Sequence, residues 1–368
     1  MPEKIKVMII DDSALIRNLV TKMLSDNNSI EVVGTALNGK FGLAKLNRLC
    51  PNIIILDLEM PEMNGIEFLK ERKKLGITTP VIILSSIAKK GAQITLEALS
   101  LGASEFILKP SEQGTNIQDT RDTLIEIISG LASPGSYTKI IKEEIVTHSH
   151  INEMPRYQAP PIHAVGNLAE IKRIPDIHVV SIGISTGGPN ALRDILPVFP
   201  EDFPVPIVIV QHMPAGFTFE FANSLNKICN LNVKEAADND IVTAGRILIA
   251  PGGKHIRFEK RSLATVIRID DSLPVNGHKP SCDVLFESTA TVYGSNSLGC
   301  IMTGMGKDGA EKIGDILKAG GITIGQDQES SVVYGMPHVA FKNGNLQIVK
   351  PLHSIAETII NVVVHKKI

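Results

Sequence analysis

The chain has 368 residues, 43% hydrophobic and 21% charged, which is ample apolar material for two or three globular cores. Thirty-seven basic residues against 39 acidic ones leave a formal net charge of −2, which excludes a chain-wide electrostatic pull toward nucleic acid or an anionic membrane surface. The cysteines Cys50, Cys229, Cys282 and Cys300 show no CxxC spacing, so neither a disulfide framework nor a cysteine zinc site is expected. MPEKIKVMII runs straight into a strand pattern without a signal-like leader, and no apolar run reaches the roughly 18 residues of a membrane span. A cytoplasmic protein without membrane insertion is the expectation.

In chain order, predicted strands at Ile5–Ile10, Ile30–Thr35, Asn52–Leu56, Val81–Leu84 and Glu105–Leu108 alternate with predicted helices at Ser13–Ser25, Lys40–Arg48, Gly65–Leu75, Lys90–Leu101 and Ile117–Ser129. Such alternation predicts a doubly wound parallel sheet, whose ligand sites lie beyond the carboxyl ends of its strands. Asp11 and Asp12 follow the first predicted strand, Asp57 closes the third, Ser85 the fourth and Lys109 the fifth. Any one strand-end aspartate is ordinarily a helix cap or a solvated loop residue. Together, three carboxylates, a hydroxyl and an ammonium at four strand ends describe a pocket for a hard divalent cation such as Mg2+ and for a phosphoryl group.

With DLEMPEMNG around Asp57 and EFILKP around Lys109, residues 1–130 resemble the flavodoxin-like receiver domain of two-component response regulators. The resemblance implies phosphorylation of Asp57 by a histidine kinase. It also implies Mg2+ held by Asp11, Asp12, Asp57 and the Glu59 carbonyl, with Ser85 and Lys109 on the phosphate. Phe106 matches the aromatic position that changes rotamer on activation, and a plain core aromatic is the alternative.

Residues 131–175 break the pattern with Pro134, Pro155, Pro160, Pro161 and Pro175 among polar residues. They read as an extended linker with one short helix at Thr138–Ile145. Alternation resumes over 176–368. Strands are predicted at His178–Ile182, Pro206–Val210, Arg246–Ala250, Ser297–Ile301 and Thr323–Ile324, with shorter ones at Val233–Glu235 and Thr265–Ile269. Helices are predicted at Asn190–Leu196, Gly216–Lys227, Ser281–Tyr293, Gly309–Ala319 and His353–Val363. A second doubly wound, three-layer α/β domain is expected.

GISTGGP, from Gly183 to Pro189, satisfies G-x-S-x-G between a strand and a helix, the pattern that exposes a nucleophilic serine, here Ser185, on a tight turn. A serine before Gly-Gly also serves as a phosphate-binding or capping residue, and the motif alone does not choose. His212 follows the strand PIVIV and Asp308 lies in TGMGKDG after LGCIM, so a base and its orienting acid can meet Ser185 at one sheet edge. His255, His278 and Asp283 are the other candidates. The order Ser, His, Asp departs from the Ser, Asp/Glu, His order of the α/β-hydrolases.

GISTGGP, VIVQHMP, APGGKH, HKPSCDVLFES, TGMGKDGA and GQDQESSVVYGMP together resemble the catalytic domain of the chemotaxis protein-glutamate methylesterases. That resemblance implies Ser185 as nucleophile, His212 as base, Asp308 as its orienter, and the Thr186 and Met305 amides as oxyanion hole. No cofactor is implied for the hydrolase. The implied substrate is γ-methyl glutamate on the cytoplasmic helices of chemoreceptors, with methanol released and some members deamidating glutamine at the same sites. An unphosphorylated receiver is implied to block access. Ile184 and Cys282 stand where the family usually carries alanine and valine; Ile184 bears on the room beside the nucleophile, and Cys282 reads as a small buried hydrophobe. Three rivals remain on these residues: a switched binding module without catalysis, a primary glutaminase, and a small-molecule esterase. A DNA-binding output is disfavoured, because no helix-turn-helix or basic stretch follows the linker.

Overall fold

The computed structural model describes residues 3–86, 89–109, 117–132, 171 and 173–366. The short helix expected at 138–145 and most of the expected linker lie outside the described residues.

The first unit runs β1 (Ile5–Ile10), α1 (Ala14–Ser25), β2 (Ile30–Ala36), α2 (Gly39–Leu49), β3 (Ile53–Asp57), α3 (Gly65–Lys74), β4 (Val81–Ser85), α4 (Lys89–Ser100), β5 (Glu105–Leu108) and α5 (Ile117–Ala132). Its sheet is parallel, in the order β2-β1-β3-β4-β5. Near-continuous apolar strands fit this arrangement because both faces are covered. Val7, Ile9, Ile53 and Ile55 pack toward α1 and α5, while Met8, Ile10, Ile54 and Leu56 pack among residues of α2, α3 and α4. Local chemistry sets the helix starts: the Ser13 hydroxyl accepts from Ile16 N, and Asn64 with Glu67 forms a capping box.

The second unit runs β6 (Val179–Ile184), α6 (Gly188–Ile195), β7 (Ile207–Gln211), α7 (Phe217–Asn226), β8 (Asn232–Glu235), β9 (Arg246–Ile249), β10 (His255–Lys260), β11 (Thr265–Asp270), α8 (Cys282–Tyr293), β12 (Ser297–Ile301), α9 (Ile313–Lys318), β13 (Ile322–Gln326), α10 (Met336–Lys342), β14 (Ile348–Lys350) and α11 (Leu352–Ile360). Seven strands form a parallel sheet in the order β14-β13-β12-β6-β7-β9-β8. Helices α6, α7 and α11 pack on Val180, Ile182 and Ile209, whereas α8, α9 and α10 pack on Val179, Val208 and Val210. This gives the expected three layers. The chain enters at β6 and builds outward first to one side and then to the other, so the strand order reverses between β6 and β12.

Three elements escape the sequence reading: β10, β14 and α10. Strand β10 pairs with β11 as an antiparallel hairpin outside the main sheet. Its sequence HIRFEK carries the alternation of a half-buried strand, but with Ile256 and Phe258 alone as apolar residues the signal is short, and pairing with β11 and packing of those two side chains complete it. The helix expected from Gly309 begins at Ile313, because Gly309 sits at φ +83 in a preceding turn.

Candidate active site

Each unit places its chemistry where its strand order reverses, in the crevice such sheets leave beyond their carboxyl ends. In the second unit the three adjacent strands β12, β6 and β7 each contribute one residue. Ser185 follows β6, with its amide bonded to Thr303 O at 2.9 Å, and His212 follows β7, with its amide on Ile184 O at 3.2 Å. Asp308 comes from the loop after β12. The turn carrying Ser185 is possible because Gly187 adopts φ +79, and because Gly188 has no Cβ, which would lie 1.9 Å from Gln211 Oε1.

Ser185 Oγ is 3.1 Å from His212 Nδ1, and His212 Nε2 is 2.8 Å from Asp308 Oδ2. With Asp308 as carboxylate, Nε2 carries the proton and Nδ1 is left to accept from the serine hydroxyl. Asp308 is fully buried. Burial alone would raise its carboxyl, but the hydrogen bond and charge of His212, with donors from Asn276 and Ser281, hold it well below the usual carboxylate range. Those donors are Asn276 Nδ2 at 3.0 Å, Ser281 Oγ at 2.6 Å and the Cys282 amide at 2.6 Å. Sequence reasoning missed Asn276 and Ser281; their place beside the candidate His278 was the available signal.

The rival candidates are occupied elsewhere. Asp283 accepts from Asn276 Nδ2 at 2.6 Å and from the Lys312 amide at 3.1 Å. His255 is fully buried, its Nδ1 accepting the Ser281 amide at 3.1 Å and its Nε2 lying 3.1 Å from Leu273 O, so it pins the loop leading into α8. His278 stacks on His212 with ring centroids 3.9 Å apart. Burial first, and then the neighbouring His212 charge, push the His278 imidazole down to about 4. Ile184 is fully buried in the core, beside the assembled Ser185–His212–Asp308 chain of hydrogen bonds. Cys282 is fully buried as expected, with Sγ 3.6 Å from His212 Nε2. The amides of Thr186 and Met305 donate to no other described residue.

In the first unit one oxygen each from Asp11, Asp12 and Asp57 lies within 4.8 Å of the others. Lys109 Nζ is 2.7 Å from Asp57 Oδ2 and 3.2 Å from Asp11 Oδ2. Burial would lower the Lys109 ammonium, but hydrogen bonds and charge from Asp57 and Asp11 raise it. Asp11 Oδ2 is buried and, the Lys109 ammonium at 3.2 Å apart, meets no donor among the described residues, which leaves it room as a hard cation's ligand. Ser85 Oγ is 2.6 Å from Thr95 Oγ1, and Glu59 lines the same pocket as Asp57, Ser85 and Lys109.

The two units touch beside the triad. The Phe106 ring stacks on Phe217 with centroids 5.1 Å apart and planes 3° from parallel. Asn190 of α6 donates to the carbonyls of Ala103 at 2.9 Å and Ser104 at 3.2 Å. Phe106 therefore lies where the apolar core of the first unit meets that of the second.

Residues 180–359 match the CheB methylesterase family and residues 7–120 the response regulator receiver domain. A protein-glutamate methylesterase/protein-glutamine glutaminase of Treponema denticola is 49% identical over 363 residues, spanning 97% of this chain and 98% of that protein. One from Clostridium acetobutylicum is 40% identical over 98% of both chains. The crystal structure of the Thermotoga maritima CheB methylesterase catalytic domain superposes with a TM-score of 0.50 at 39% identity, covering 51% of this chain and 100% of that one.

Proposed function

The chain belongs to the family of protein-glutamate methylesterases/protein-glutamine glutaminases, hydrolases of carboxylic esters with a receiver domain in front, and from that premise we propose how its own residues carry the reaction. Ser185 Oγ attacks the γ-carbonyl of a methylated glutamate while His212 Nδ1 takes its proton. Asp308 stabilises the resulting imidazolium through Nε2–H. The developing oxyanion is held by the amides of Thr186 and Met305, each worth about 3–4 kcal/mol in a preorganised site. Methanol leaves with the proton from His212, water attacks the glutamyl ester of Ser185 by the reverse path, and glutamate is released. Glutamine follows the same path with ammonia as leaving group. This acyl-transfer chemistry requires no cofactor.

The substrate proposed is the cytoplasmic helical segment of chemoreceptors, met in the cytoplasm; among the described residues no helix is long and apolar enough to cross a membrane. Asp57 accepts the phosphoryl group from a chemotaxis histidine kinase, with Lys109 and Ser85 on its oxygens. Asp11, Asp12, Asp57 and the Glu59 carbonyl would hold Mg2+, which when bound neutralises charge on the transferring group. The unphosphorylated receiver sits against the catalytic rim through Phe106 and α4, and phosphorylation favours the undocked arrangement.

The observation that carries this reading is the Ser185–His212–Asp308 chain of hydrogen bonds at 3.1 and 2.8 Å. Ser185→Ala is expected to abolish methanol release from methylated receptor while still accepting phosphate at Asp57. Retained turnover removes serine catalysis, and ammonia without methanol makes the protein a glutaminase.

A further inference from the structure

Strand β5 of the receiver carries a carboxylate that neither phosphoryl transfer nor ester hydrolysis uses. Glu105 is 5% exposed. Its Oε1 accepts the amide of Phe106 at 2.9 Å, and its Oε2 accepts the amide of Gly187 at 2.5 Å. Gly187 lies two residues beyond Ser185 and caps the N-terminus of α6. The flanking residues grip the same rim: Ala103 and Ser104 take Asn190 of α6, and Phe106 takes Phe217 of α7. A buried carboxylate is costly unless its oxygens are satisfied. Here one of the two donors comes from the other domain.

We propose that Glu105 is a clasp by which the receiver holds the nucleophile turn of the hydrolase, fastening the docked state to the peptide that carries Ser185. The inference rests on the reading of the receiver as a gate. Undocking strips the Gly187 donor from the carboxylate and returns its other face to water.

A pH response follows. Burial pushes the Glu105 carboxyl up to about 7, against the lowering influence of the Gly187 and Phe106 amides. No charged side chain among the described residues contributes to its titration; besides those amides it meets Ile82 across the β4 register, with Asn190 of α6 on the adjacent carbonyls. Exposed on undocking, the carboxyl returns to the ordinary carboxylate range. The docked state thus binds the proton more tightly. Docking is strongest below the ordinary carboxylate range and weakens as pH rises through about 7.

The full-length protein tests this in two ways. Hydrogen exchange by mass spectrometry on peptides spanning residues 183–190 is expected to show a protected Gly187 amide in the unphosphorylated wild type, with protection lost in Glu105→Ala and on adding beryllofluoride. Methanol release is measured with and without beryllofluoride, and the ratio of unactivated to activated rate cancels the hydrolase's own pH response. That ratio is expected to rise about tenfold between pH 6 and 8 in wild type. It should be flat in Glu105→Gln, which keeps the shape but does not titrate, and severalfold above wild type at pH 7 in Glu105→Ala. Unchanged exchange at Gly187 in Glu105→Ala, or a pH response surviving in Glu105→Gln, overturns the clasp. Turnover persisting in Ser185→Ala instead defeats the hydrolase reading and leaves the exchange result standing.

Discussion

Asp308 in the hydrolase and Asp11 in the receiver are both fully buried carboxylates at the carboxyl ends of parallel strands, yet their oxygens are satisfied in opposite ways. Asp308 takes donors from His212, Asn276, Ser281 and the Cys282 amide, all supplied by its own domain. Asp11 Oδ2 has, among the described residues, the Lys109 ammonium alone, 3.2 Å away and shared with Asp57. Three clustered carboxylates facing the Lys109 ammonium keep an excess of negative charge that suits a hard cation. The hydrolase pocket is electrostatically finished by the chain, and the receiver pocket is built to be finished from outside. One site is therefore constant and the other responsive, as a switched enzyme requires.

The largest expected effect tests the finished site. Asp308→Asn keeps the shape but loses the charge that fixes the His212 tautomer, and kcat for methanol release should fall about 10⁴-fold. A fall below tenfold would mean that His212 is oriented by something other than Asp308. Ser281→Ala removes one donor from the buried carboxylate. A hydrogen bond to a charged group is worth about 1.5–3 kcal/mol, so kcat/KM should drop about ten- to a hundredfold while Asp57 still accepts phosphate. The responsive site should answer differently. A chelator is expected to abolish activation by a small-molecule phosphodonor and to leave unactivated methanol release unchanged. Inhibition of the unactivated rate would place a metal in the hydrolase and erase the contrast.

The contrast also explains what the sequence could disclose. Asp11, Asp57, Ser85 and Lys109 were legible because each ends a strand whose apolar run is unmistakable, and the parallel order then brings strand ends together. Ser185, His212 and Asp308 were legible for the same reason, aided by glycines at the turns. Asn276 and Ser281 were not, since they reach Asp308 from a loop with no period, over sequence separations that no local pattern encodes. Glu105 was read only as part of EFILKP. Its acceptance of the Gly187 amide depends on how two domains meet, and a strand-initial glutamate looks solvent-facing until that surface is covered. Strand β10 and helix α10 were invisible for a related reason: the first is a polar hairpin arm, the second seven residues long, and tertiary packing rather than propensity stabilises both.

The smallest expected effect concerns His278 in the hydrolase site, whose Nδ1 is buried without a hydrogen-bond partner among the described residues. Burial, with the His212 charge next to it, lowers this imidazole from 6.5 to about 4, so the folded protein holds it neutral. Its contribution to stability is thus fully present above pH 6.5 and lost as pH falls toward 4, because the unfolded chain takes up the proton first. Between pH 7 and 5 that loss amounts to about 1–2 kcal/mol. His278→Phe keeps an aromatic face on His212 and does not titrate. Its Tm should fall less than that of wild type over the same interval, by about 2–8 °C. Equal falls would show that the fold leaves the His278 imidazole unshifted, and a larger fall in His278→Phe would show that the fold holds it charged, so that the hydrolase pocket would share the receiver's need for a counter-charge.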